Sequence, residues 1–289
     1  MVIDAHVHFW RPALGHDILI VRREPRLRRD YQPADLQPAM EAAGIARAVV
    51  VQSAPALAES EYQLALAADL PWIAGVVGWV DLAAADAGAQ LDRLQRAGKL
   101  VGVRAMLNRI EDPEWIAVDA VHAGLAELAR RGLSLDLIAR PLHLEACRRA
   151  LARVPDLRVV VDHGGGPPIA ARGREPWAML IAALARDTGA YCKFSGLFEE
   201  AADGDGTDAL LPYAAHLATC FGSDRLVFAS NWPVCEIAGG YARWHAAASD
   251  LAIRLGLDQD ALFADNARRL YQTGDGARIT PGPRASTAR

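Results

Sequence analysis

Two histidines one residue apart, His6 and His8 in "DAHVH", are the first side chains in this sequence whose types and spacing could do chemistry. On a strand, residues two apart point to the same side, so both imidazoles could grip one divalent ion; a core or surface role is the plainer alternative. His163 in "VVVDHGGGPP" offers a third nitrogen, and Asp162 before it is either a partner of that site or merely the polar end of a strand. Arg104 in "LVGVR" and Lys193 in "AYCKF" are cations that could clamp an anion or polarise a carbonyl, or could form stabilising ion pairs. Gln52, Ser230 and Asn231 close two further apolar runs. Trp10, Tyr31 and Trp232 could form an apolar wall for a ring, or simply pack their loops.

Something must bring these scattered residues together. Short β-branched runs stand at 2–6, 48–52, 73–78, 100–104, 133–137, 157–163, 190–194 and 225–230. Between them lie segments with helical periodicity, several closed by glycine, and two more helical segments follow the eighth run. Apolar strands alternating with helices imply parallel pairing, because each crossover returns the chain to the same end of the sheet. Eight such units within 289 residues predict an α/β fold, a single-domain (β/α)8 barrel over residues 1–272. A doubly wound open sheet is the runner-up, but no GxGxxG turn follows the first run. The tail at 273–289, rich in Gly, Pro and polar residues, is expected to lack fixed structure. In a barrel of this kind functional residues gather at the carboxyl ends of the strands, and every candidate above lies at such an end or in the loop after it.

Composition narrows the partners. With a net charge of -4 there is no basic surface to recruit nucleic acid or an anionic membrane. The arginine run "VRREPRLRRD" is interrupted by Glu24, Pro25 and Asp30, and a solvated loop is favoured over a patch for an acidic substrate. Cys147, Cys192, Cys220 and Cys235 show no CxxC spacing and are read as reduced thiols. No secretory leader or membrane span is evident, which points to the cytoplasm. His16, His122, His143, His216 and His245 fall in loops or helices and are assigned no role.

The motifs "IDAHVHFW", "VVDHGGGPP", "YCKFSGL", "FASNWPVC" and "NARRLYQ", in this order, resemble the amidohydrolase superfamily, and within it the sugar-lactonase branch of L-fuconolactonases and L-rhamnonolactonases. The similarity runs from Val2 to about Gln272. It implies a barrel enzyme that opens the lactone of an aldonic acid with water. One divalent ion, zinc or manganese, often assists in this branch, and other members need none. His6, His8 and His163 match its metal-site or substrate-site histidines. Arg104 and Lys193 would then help at the carbonyl, with Gln52, Trp10, Tyr31 and Trp232 around the substrate.

Asn231 matches a position where many members carry aspartate. An asparagine still offers a carbonyl oxygen to a water, but its amide accepts no proton near neutral pH. Three readings are open at this point. The chain is a working lactonase whose proton acceptor is His163, Glu199 or Glu236; or it moves a lactone bond between hydroxyls without hydrolysis; or an aspartate has been replaced to trap a ligand. A barrel that merely binds a sugar acid is the competing class.

Overall fold

The computed structural model describes residues 1–273. Eight parallel strands, each followed by helix, form one sheet in sequence order: β1 (Ile3–Val7), β2 (Arg47–Val51), β3 (Ile73–Gly78), β4 (Leu100–Ala105), β5 (Ser134–Leu137), β6 (Val159–Val161), β7 (Tyr191–Phe194) and β8 (Leu226–Phe228). This is the expected (β/α)8 barrel in one domain. The ring closes through the residues that follow β8. Val7 bridges Trp232 in parallel, Asn231 N donates to His6 O at 3.0 Å, and His8 N donates to Trp232 O at 2.7 Å. Closure itself thus ties the asparagine to the histidine pair.

The helices form for ordinary reasons. Asp119–Arg130 buries Val121, Leu125 and Leu128, spaced four and three apart on one face, and leaves charge on the other. Pro33–Ala42 and Pro141–Ala152 each begin with proline at the first turn, where no amide hydrogen is needed. These helices pack on the strands' outer faces in one large apolar cluster.

A second cluster lies inside the ring. It joins Ile3 and Ala5 of β1, Val49 and Val51 of β2, Val77 of β3, Val160 of β6 and Val227 of β8 to Ala267, Leu270 and Tyr271. Side chains from strands as far apart as β2 and β6 can meet only in the barrel interior. The last helix, Asn266–Tyr271, therefore fills the base of the barrel and leaves the carboxyl ends of the strands free for polar groups.

Strict alternation would not put Ile3, Ala5, His6 and His8 all inside. The pairing of β1 with β2 slips between Asp4 and Val7, and this irregularity turns His6 and His8 inward together after Ala5.

Strand boundaries differ from the sequence reading mainly at β6. The run to His163 ends at Val161, and Asp162–Gly165 form a tight turn with His163 at φ 52° and three left-handed glycines after it. The arginine run is not a plain loop, for Leu19–Arg23 is a short helix and Pro25–Leu27 a helical turn. The tail proposed to lack structure lies, beyond Thr273, outside the described residues. Among those described, no helix is long and apolar enough to cross a membrane.

Candidate active site

Above the apolar base lies a layer of buried charge. Lys193 Nζ of β7, with no solvent exposure, sits 2.5 Å from Asp136 Oδ2 of β5 and 3.0 Å from Asp162 Oδ1 after β6. Tyr271 OH rises from the base to donate to the same Asp136 oxygen at 2.7 Å. Arg104 of β4, 3% exposed, lies 3.5 Å from Asp162 Oδ2 and donates to the Gln52 carbonyl. Two aspartates thus face two cations. Burial would raise the Asp162 carboxyl, but Lys193, His6 and His163 around it together hold it well below the usual range. Burial outweighs Lys193 at Asp136, which is raised.

The histidines rest on this layer. Lys193 lies 2.8 Å from His6 Nδ1, and an ammonium can only donate. With that bond made, a neutral His6 carries its proton on Nε2, which faces His8 Nε2 at 3.0 Å and, farther off, Arg104 Nη1 at 3.4 Å. His8 in turn donates from Nδ1 to Val51 O at 2.7 Å, leaving its Nε2 free to accept. Burial, reinforced by Lys193 for His6 and by Arg104 for His8, pushes both imidazoles well below the usual histidine range, so they are neutral at physiological pH. Burial likewise lowers His163 to about 4.

His163 stands on its left-handed turn beside β7, and its Nδ1 is 2.8 Å from Ser195 Oγ. That position demands glycine at 196. A Cβ there would come within 2.6 Å of His163 Cβ, and Gly196 itself has φ 72°. This accounts for the "DHGGG" and "SG" pairings in the sequence.

The side chains converge on a cleft of about 220 Å³ lined by His8, Trp10, Ser53, Arg104, His163, Glu199 and Asn231, with Arg23, Asn108 and Arg140 toward its rim. Asn231, in a left-handed conformation at φ 60°, donates from Nδ2 to Glu199 Oε1 at 3.0 Å.

Of the residues singled out in the sequence, His8, His163, Arg104, Asn231 and Trp10 line this cleft. His6 and Lys193 lie under it, each with no exposure. Gln52 is buried beneath Arg104, its Nε2 3.4 Å from the Arg104 carbonyl. Tyr31 and Trp232 stand behind Trp10, where Tyr31 meets both tryptophans edge-on at 5.4 Å. Glu199 reaches the cleft and Glu236 is not among its lining residues. Asp136 was missed, although an aspartate within the apolar run "LSLDL" is the kind of residue that needs a buried partner. Asp4 was missed too. Its Oδ1 accepts from Ser230 N at 2.9 Å and from His6 N at 3.1 Å, pinning the β1 and β8 ends together. Arg23 shows that the arginine run does contribute one residue to the cleft.

The amidohydrolase family profile matches residues 3–273. The chain belongs to the amidohydrolase family. Among curated amidohydrolases it is similar to the L-fucono-1,5-lactonase of Burkholderia ambifaria, 36% identical over 93% of this chain and 95% of that protein. The L-fucono-1,5-lactonase of Burkholderia multivorans is 32% identical over 93% of this chain and 95% of its own length. A solved amidohydrolase from Burkholderia multivorans with bound zinc superposes with a TM-score of 0.87 at 29% identity, covering 94% of this chain and 99% of that one.

In the present amidohydrolase, His6, Asp162 and His163 offer ligand atoms all within 4.8 Å of one another. The His6 and His8 Nε2 atoms, 3.0 Å apart, are near the ~3.3 Å that separates two tetrahedral ligands of an ion ~2.05 Å away. Asp162 Oδ1 is buried, with Lys193 Nζ at 3.0 Å and His6 Nδ1 at 3.5 Å as its neighbours. Neutral imidazoles and one carboxylate fit a borderline ion such as zinc. Lys193 and Arg104 already balance Asp136 and Asp162, however, so the cluster does not depend on an ion for neutrality.

Proposed function

We propose that the chain is a lactonase that opens the lactone of a sugar acid with water. The observation that carries this reading is the cleft, where a guanidinium, two neutral imidazoles and an asparagine converge at the carboxyl ends of four strands, in a chain 36% identical to an L-fucono-1,5-lactonase over nearly its whole length. The substrate class rests on the same likeness.

Each residue has a part. The lactone carbonyl oxygen gains negative charge as water adds, and Arg104 is the buried cation able to meet it. Its guanidinium is fixed by the Gln52 carbonyl and Asp162, so little reorganisation accompanies the reaction. His163, oriented through Ser195, donates to the oxyanion or returns a proton to the leaving oxygen. Lys193 acts from below by orienting His6 and holding the charge of Asp162. Trp10 supplies an apolar face for the ring. His6, His8 and His163, with Asp162, would hold a divalent ion, zinc or manganese, and such an ion polarises a carbonyl and acidifies water. The charge balance of the cluster also supports turnover without one.

The test follows acid release with a pH indicator on a panel of aldonolactones that includes L-fucono-1,5-lactone. Metal content is measured first, and zinc or manganese is then added. Turnover above the spontaneous rate supports the reading. Ligand-induced stabilisation with no acid released would make the chain a binding protein, and interconversion of ring forms without acid would make it an isomerase.

A further inference from the structure

The asparagine at 231 leaves the water without its expected proton acceptor, and the loop after β7 brings a carboxylate to the same place. Glu199 lines the cleft with Arg104, His163 and Asn231, and its Oε1 accepts a hydrogen bond from Asn231 Nδ2 at 3.0 Å. No lysine or arginine pairs with it among the described residues. The amide that donates through Nδ2 has its own Oδ1 left over, and that oxygen accepts no hydrogen bond from the described residues.

We infer that Glu199 is the general base of the reaction and Asn231 its positioning partner, the two holding the attacking water between a carboxylate and an amide oxygen. This rests on the lactonase reading. One water hydrogen goes to the Glu199 carboxylate while the other is held by Asn231 Oδ1, and the oxygen forms a bond to the lactone carbonyl carbon. When the tetrahedral adduct collapses, the bond from that carbon to the ring oxygen breaks, and the leaving oxygen takes the proton from Glu199. The carboxylic acid formed then ionises, and the enzyme is restored.

The surroundings suit a base. Burial raises the Glu199 carboxyl to about 7, against the opposing effect of the Asn231 hydrogen bond. The groups that face it are few. Glu200 beside it is engaged by Arg140 at 2.5 Å, and the Cys235 thiol is held protonated by burial. Arg104 and His163 stand elsewhere on the cleft wall. A carboxyl raised to about 7 is half in its basic form at neutral pH and remains basic enough to take a proton.

The experiment compares wild type, Glu199→Gln, Asn231→Asp and the double variant Glu199→Gln/Asn231→Asp on one turned-over lactone from pH 5 to 9, with thermal melting as a check on folding. Glutamine keeps an oxygen for the Asn231 amide, so the loop geometry survives. Wild-type kcat/KM should rise with pH and level off above about 7. Glu199→Gln should lower the plateau roughly 100- to 10,000-fold and abolish that rise. The double variant returns a carboxylate to the water from the other side and should recover at least tenfold of the loss. A Glu199→Gln protein within about threefold of wild type, or one that is slow but keeps the same pH rise, overturns the assignment and leaves the lactonase reading intact. A wild-type protein inactive on every lactone overturns both.

Discussion

Lys193 is the keystone of the buried ionic layer, and Lys193→Met removes its charge while keeping its length. At 2.5 and 3.0 Å the ammonium attracts the two carboxylates by about 6.6 and 5.5 kcal/mol at an effective dielectric of about 20, against several kcal/mol for taking the ion out of water. Breaking such a buried pair costs about 3–5 kcal/mol, because the surviving carboxylates are left uncompensated. The loss should depend on pH. In the wild type, the depressed Asp162 contributes stability that is present above the unfolded carboxyl pKa of about 3.9 and is lost only as pH falls through its lower folded value. That contribution is flat between pH 5 and 8, and the only pH dependence left from this pair in the wild type is the penalty of the raised Asp136. Without Lys193, both aspartates are buried beside each other, so Asp162 rises above its unfolded value and Asp136, already raised in the wild type, rises further. That penalty is absent below about pH 4 and grows by about 1.4 kcal/mol per unit for each group until the folded value is reached. Thermal melting of both proteins at pH 5 and 8 measures this. At pH 8 the variant should melt roughly 6–20 °C below wild type, and at pH 5 the gap should shrink by half or more. A gap under about 3 °C at pH 8, or one equal at both pH values, would refute the reasoning.

Three other outcomes follow. Glu59 is buried against Ser53 and Gln63 with its Oε2 unpartnered, and burial raises it to about 7; because that raised value makes the folded state lose stability as pH climbs from about 4.5, Glu59→Gln should be more stable than wild type at pH 8 by up to about 3 kcal/mol and equal at pH 5, as urea titrations would reveal. His8→Ala breaks the imidazole chain at a cleft-facing position, so kcat/KM should fall at least about 100-fold while the melting temperature moves by only a few degrees; unchanged kinetics in a folded variant would remove the histidine pair from the mechanism. Gly196→Ala places a Cβ 2.6 Å from His163 Cβ at a φ of 72°, and should cost about 1–3 kcal/mol and reduce turnover together, whereas a stable and fully active variant would mean the His163 turn is not held as described.

The barrel was legible because its eight strands are β-branched and separated by amphipathic segments, a pattern that few folds share. The residues at the strand ends were legible for the same reason, since a polar residue closing an apolar run has to face something. What periodicity could not provide was depth. Lys193 and Arg104 look alike in the sequence, yet one is enclosed between two aspartates under the floor and the other lines the cleft. Tyr31 and Trp232 read as a substrate wall, but aromatic side chains in adjoining loops also satisfy one another, and here they support Trp10 from behind. Asp136 escaped notice because its partner comes from β7, 57 residues away.

The contact between Asn231 and Glu199 gives the asparagine a physical sense. Two carboxylates about 3 Å apart on the cleft wall resist ionising together, and the pair would share one proton at neutral pH. An aspartate at 231 would therefore not add a second base beside Glu199, because at neutral pH the pair would carry one negative charge and offer one carboxylate. With asparagine there, the hydrogen bond at 3.0 Å favours the ionised form of Glu199 and fixes its direction. Because Asn231 is tied by its own backbone to His6 at the seam of the barrel, that direction is set by the fold and not by the loop that carries the glutamate. The Asn231→Asp variant separates these views. If position 231 were simply a lost catalytic aspartate, the change would raise turnover at neutral pH; if Glu199 carries the base, kcat/KM at pH 7 should stay at or below the wild-type value, because the pair still offers one carboxylate and the amide donor that directs Glu199 is gone.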